Sequence, residues 1–146
     1  MTTRTRTGAA VLAIAAVLAL AGCASGAPTE SYPGGPAGGH GEETGGTELT
    51  GEPEAFYLEN AGAIAVVLWG SSSCPTVGER MIVEERAGAG NAVRVETREV
   101  PEQTPCTLDL VPHTTVFATP GSVKTTEPLT IRIDDTELTL VDEVHE

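Results

Sequence analysis

Apolar residues are distributed along this chain in three different ways. Residues 9–20 form an unbroken apolar run; residues 24–54 are dominated by Gly, Pro and Glu with no apolar periodicity; from about Ala55 onward, apolar residues come in short runs that alternate with polar ones. The third pattern is that of strands, in which side chains point to opposite faces in turn. Residues 63–69 are continuously apolar, as expected for a strand buried on both faces, a pattern that a short buried helix also fits. Residues 80–86 contain Met81, Ile82 and Val83, and in residues 92–100 Val93, Val95 and Thr97 face one way while Arg94, Glu96 and Arg98 face the other. Between them, Ala87-Gly88-Ala89-Gly90-Asn91 predicts a hairpin loop. Cys106, Leu108 and Leu110 alternate again, ahead of a Thr-rich run over 114–119 and the turn pair Pro120-Gly121. Leu129, Ile131 and Ile133 share a face, and Leu138 and Leu140 resume the alternation beyond Asp134-Asp135, which predicts a C-terminal hairpin.

No segment after Ala55 carries an apolar stripe at helical spacing. Six to seven short strands predict an all-β domain over 55–146, and we expect a small immunoglobulin-like sandwich. Residues 23–54, with Gly34-Gly35-Pro36, Gly38-Gly39 and Gly45-Gly46, cannot bury a core and read as a disordered, negatively charged tether.

The first segment has the three-part form of a secretory signal, with Arg4 and Arg6 ahead of the apolar run. That run is too short for a permanent span, because a bilayer core needs roughly 20 apolar residues in a helix. It ends in Leu20-Ala21-Gly22-Cys23, which resembles the lipobox of bacterial lipoproteins. The resemblance implies that residues 1–22 are removed by cleavage between Gly22 and Cys23. It also implies a diacylglyceryl group on the Cys23 thiol, whose two acyl chains hold the mature chain to the cell membrane on its extracytoplasmic face. The stretch Trp69-Gly70-Ser71-Ser72-Ser73-Cys74-Pro75, with Cys106, Pro112, Thr114 and Thr115 after it, resembles a segment of uncharacterised actinobacterial lipoproteins, a likeness that carries no activity.

Cysteine count and charge refine this picture. With lipid on Cys23, Cys74 and Cys106 remain as a pair, and an oxidising compartment favours their disulfide. After loss of residues 1–22, six basic residues stand against 21 acidic ones, a net charge of −15. Such a surface repels phosphates, and with no run of Lys or Arg it speaks against nucleic-acid binding. Five aromatic residues in the whole chain leave the core to Val, Ile and Leu and supply no stacking platform.

Candidate chemistry is sparse. Trp69 ahead of Cys74-Pro75 is placed as in the active turn of thioredoxins, but that motif needs a second Cys two residues on, where Val77 stands. The serine cluster lacks the second Gly of a nucleophile elbow. A triad of Ser72, His113 and Asp109 is conceivable, the other domain histidine, His145, being penultimate in the chain. The serines are more simply read as turn formers. His40, the acids Asp134, Asp135 and Glu137 at a hairpin tip, and Asp142, Glu143 and Glu146 lack the spacing of metal ligands. The expectation is therefore a noncatalytic envelope binding or accessory module with no cofactor, meeting an envelope protein or ligand. The alternative is a thiol-redox or hydrolase-type enzyme using Cys74 or His113.

Overall fold

The computed structural model describes residues 25–35 and 51–141. Nine strands follow one another in the chain: β1 (Ser25–Gly26), β2 (Glu30–Pro33), β3 (Glu54–Leu58), β4 (Ala63–Gly70), β5 (Gly78–Glu85), β6 (Ala92–Thr97), β7 (Val111–Ala118), β8 (Leu129–Ile133) and β9 (Thr136–Leu140). They form a five-stranded sheet in the order β1-β5-β6-β8-β9 and a four-stranded sheet in the order β2-β7-β4-β3. The two sheets face each other as a small immunoglobulin-like sandwich closed by one disulfide. Among the described residues no helix is long and apolar enough to cross a membrane.

Pleat alternation explains the packing. From the four-stranded sheet, Ile64, Val66 and Leu68 of β4 and Phe117 of β7 point inward. They meet Met81, Val93, Val95, Leu129, Ile131, Ile133 and Leu140 of the opposite sheet. The alternate residues of β4, Ala63, Ala65 and Val67, lie on the outer face and are buried too. Val116, Tyr32 and Leu58 pack beside Ala63 and Ala65 there, which is why the strand reads as continuously apolar. Gly78 opens β5 under Phe117, whose ring carbons would lie 3.0 and 3.2 Å from a Cβ at that position. The wholly buried Phe117 ring thus leaves little room for a side chain opposite it.

The outer face of the five-stranded sheet is polar and ion-paired. Glu84 on β5 meets both Arg94 on β6 and Arg132 on β8 at 2.8 Å. Arg132 also reaches Glu137 on β9 at 3.1 Å. Arg94 and Arg132 stand directly opposite each other in the parallel β6–β8 pair, so a carboxylate between them relieves their repulsion. The two guanidiniums hold the Glu84 carboxyl below its ordinary pKa, Arg132 contributing most.

Two short strands add to the expected pattern, and one expected strand is corrected. The expected tether contributes structure: residues 25–26 and 30–33 are strands, and the chain crosses from one sheet to the other at Ala27-Pro28-Thr29. Their ladder bonds, to β5 and β7, come from backbone groups and do not need apolar side chains. The rest of the expected tether, residues 36–50, lies outside the described residues, as do the expected signal segment, Gly22, Cys23, His40, His145 and the terminal acids. Strand β3 begins at Glu54, beside the expected domain start at Ala55, and two strands precede it. The alternation of Cys106, Leu108 and Leu110 produces no strand: β6 ends at Thr97 and residues 98–110 form a loop. Pro101 and Pro105 cannot donate to a ladder, and side chains from a neighbouring turn bind the loop's polar groups instead.

The sandwich has two unlike ends. At one, the 59–62, 86–91 and 119–128 connections come together, with bonds from Thr119 N to Gly62 O (3.0 Å) and from Ala87 N to Ser122 O (2.9 Å). Asn91, 4% exposed and at φ 53°, is the central tie. Its Nδ2 donates to Lys124 O (2.9 Å) and Pro128 O (3.0 Å), and its Oδ1 accepts from Lys124 N (2.9 Å). The other end carries the 71–77 turn and the 98–110 loop. We expect Asn91→Ala to destabilise the fold by about 2 to 4 kcal/mol, since it orphans three backbone groups at a left-handed position. Urea unfolding checks this, and a change below about 0.5 kcal/mol would contradict the role given to Asn91.

Candidate functional site

The disulfide end holds every residue that the sequence marks for chemistry among the described residues, the Asp134-Asp135-Glu137 group on the β8–β9 hairpin included. Cys74 and Cys106 are joined, with Cα atoms 5.5 Å apart. Cys74 is half-buried at the start of the way back into β5, and Cys106 is exposed on the 98–110 loop. The bond therefore ties two loops at the rim of the sandwich and does not cross its core. Its thiols are consumed, so the resting protein presents no thiolate at Cys74 for redox chemistry.

The three serines before Cys74 form the second clamp. Ser71 Oγ accepts from Cys74 N at 3.0 Å, closing the turn on itself. Ser73 Oγ accepts from Thr107 N at 2.8 Å, and Asp109 Oδ1 accepts from Ser72 N at 3.1 Å. Thr107 Oγ1 donates to the Asp109 carboxylate, which leaves its oxygen to accept from Ser72 Oγ (3.1 Å) and Ser73 Oγ (3.2 Å). Donors from Ser72 and then Thr107 hold the Asp109 carboxyl down to about 2. Ser71 is thus occupied in closing its own turn and Ser72 and Ser73 in fastening one loop to the other, as turn-forming serines do.

Gly70 makes this geometry possible. A Cβ there would stand 2.6 Å from Thr76 N and 3.3 Å from Cys74 O, so the 71–77 turn folds back across the end of β4 only because position 70 has none. Thr76 Oγ1 completes the fold-back by donating to Trp69 O at 3.0 Å.

His113 lies on β7, 9% exposed, opposite Leu68 in the ladder. Its Nε2 is 2.9 Å from Ser31 Oγ on β2. Among the described residues no hydrogen bond joins it to Ser72 or Asp109, so the conceivable triad is not assembled. Ser72 and Asp109 are brought together; His113 pairs elsewhere. Burial lowers the His113 pKa, with a smaller contribution from the Arg98 charge, so the imidazole is neutral at pH 7. A neutral ring beside a hydroxyl can accept its proton, but among the described residues no carboxylate orients Nδ1. Ser31 escaped the sequence reading because it sits in the Gly- and Pro-rich stretch, and only strand pairing across 82 residues of separation brings it to His113.

Among the described residues no group of three or more His, Cys, Asp or Glu side chains is arranged to hold a metal ion. Asp134 instead lines a surface depression of about 760 Å³ together with Glu79, Arg94, Glu96, Arg98 and Glu99, at the base of the 98–110 loop.

Two outcomes follow from this geometry. Reducing the disulfide should lower the melting temperature by several degrees, since closing the 32-residue separation stabilises by about 3.7 kcal/mol in the loop-entropy model. An unchanged melt after confirmed reduction would refute a stabilising role. For His113, the folded-state pKa lies below the ordinary 6.5, so the unfolded chain takes the proton more readily and stability falls as pH drops below that value. Thermal melts between pH 7.5 and 5.5 should show this decline, and His113→Gln should flatten it. Comparison with protein-family models, with curated proteins and with solved structures returns no match.

Proposed function

We propose that this protein is an exported, membrane-anchored lipoprotein whose β-sandwich serves as a noncatalytic binding or accessory module on the extracytoplasmic face. The lipobox-like Leu20-Ala21-Gly22-Cys23, placed behind Arg4, Arg6 and the apolar run of residues 9–20, is the observation that carries this reading.

The direction of β1 bears on where such an anchor would sit. Ser25 pairs with Ile82 and Gly26 with Met81, antiparallel to β5, so the chain comes into β1 from the end carrying the 86–91 and 119–128 connections. Only Ala24 separates Cys23 from that strand. Two residues span at most about 7 Å. A lipidated Cys23 would therefore hold the sandwich close to the bilayer, with the disulfide end directed away from it. On this reading β1 and β2, which lie within the expected tether of residues 23–54, are close to the anchor. The strong negative charge contributes nothing to attachment to anionic headgroups, which leaves the two acyl chains as the anchor.

Metabolic labelling with a clickable palmitate analogue tests the proposal. The full chain should take label and partition with membranes, whereas Cys23→Ser should lose both and keep its Cys74–Cys106 bond. An unlabelled wild-type chain in the soluble fraction would overturn the anchor.

A further inference from the structure

Large apolar side chains that remain exposed are few among the described residues: Val100 (41%), Leu108 (107%), Leu110 (59%) and Val141 (55%). Three of the four lie on the single 98–110 loop. Leu108 is the most exposed, and it is also held in place. Its predecessor Thr107 is bonded through N to Ser73 Oγ, its successor Asp109 accepts from Ser72 N, and Cys106 is covalently tied to Cys74. A loop that existed only to connect β6 with β7 would have no need of three fastened residues flanking a solvent-facing Leu. Exposed apolar side chains on a preorganised backbone are the usual anchors of protein interfaces, because little ordering entropy is left to lose on binding.

We infer that the 98–110 loop is a docking surface, with Leu108 as its central anchor and Val100 and Leu110 beside it, for a partner protein presenting an apolar cleft edged with Lys and Arg. Charge selects this occupant. The loop carries Glu99, Glu102 and Asp109 against Arg98, and the depression at its base adds Glu79 and Asp134, its remaining pair Arg94 and Glu96 being joined to each other. An anionic lipid surface is repelled by that rim, and a second copy of the chain would bring acids against acids. A basic rim satisfies the acids while the cleft buries Leu108. The location of the surface away from the bilayer rests on the proposed Cys23 anchor; the docking chemistry does not.

A photoreactive residue tests this in the full anchored chain, in the cells that make it. With Leu108→p-benzoylphenylalanine, irradiation should give one discrete heteromeric adduct, and the same residue at the exposed Thr139 on β9 should not. Peptide sequencing of the adduct should find the crosslink among apolar residues flanked by Lys or Arg. Glu99→Lys with Glu102→Lys, acids that make no part of the serine clamp, should cut the adduct at least about fivefold. An adduct of twice the chain's mass, a lipid adduct, an adduct indifferent to charge reversal, or no difference from position 139 would each overturn the inference. Palmitate labelling of the same samples reports the anchor separately, so an adduct retained in the Cys23→Ser chain with no label on the wild type would refute the anchor and keep the docking surface.

Discussion

Burial of one row of branched aliphatic side chains between two pleated sheets is the constraint on which the rest of this structure depends. The facing rows are Ile64, Val66 and Leu68 on one side and Leu129, Ile131 and Ile133 on the other, each wholly or almost wholly removed from water. At roughly 1.5 to 3 kcal/mol for each fully buried side chain, these rows outweigh any single polar contact in the molecule. Because the pleat has a period of two, a slip of one residue in either sheet would turn the whole row outward. That penalty sets the register of β4 against β7 and of β6 against β8, and the register in turn decides which polar residues meet.

The polar features follow from that register. On the outer face of the five-stranded sheet it lines up Arg94 and Arg132, and Glu84 bridges them in partial exposure, where such ion pairs contribute little to stability but keep the face solvated. On the four-stranded sheet it brings Ser31 beside His113 and takes the histidine into a position where burial lowers its pKa. At the rim, where no row of side chains remains to be buried, the chain is fastened by other means: a disulfide, three serine hydroxyls and a glycine that lets the turn fold back. The fold thus has a dry middle held by area and an exposed end held by specific bonds, and the loop with the most uncovered apolar surface is on the latter.

This division bears on function. The end tied by Asn91 also receives the chain ahead of β1, while the end tied by the disulfide lies one strand length away, about 26 Å for the eight residues of β5. If Cys23 is the attachment point, membrane side and display side are distinguished by topology alone, and the display side is the one with a rigid apolar prominence in an acidic setting.

From residue pattern alone, the all-β class, the strands of residues 63–69 and 92–100, the latter ending at Thr97, both hairpins and the pairing of Cys74 with Cys106 could be read, because each rests on local alternation, turn chemistry or a count. Strands β1 and β2 were not legible in a stretch of Gly, Pro and Glu, since their pairing uses backbone groups offered by β5 and β7 from far along the chain. The apparent strand at Cys106, Leu108 and Leu110 misled for the converse reason: alternation marks a strand only where a neighbouring ladder accepts it, and here two prolines and the serine clamp intervene. The Ser31–His113 contact and the parallel β6–β8 pair likewise belong to tertiary structure alone. Local pattern determines which faces must be buried; only the assembled sheets decide what each face is buried against, and hence which side chains are left at the surface to act.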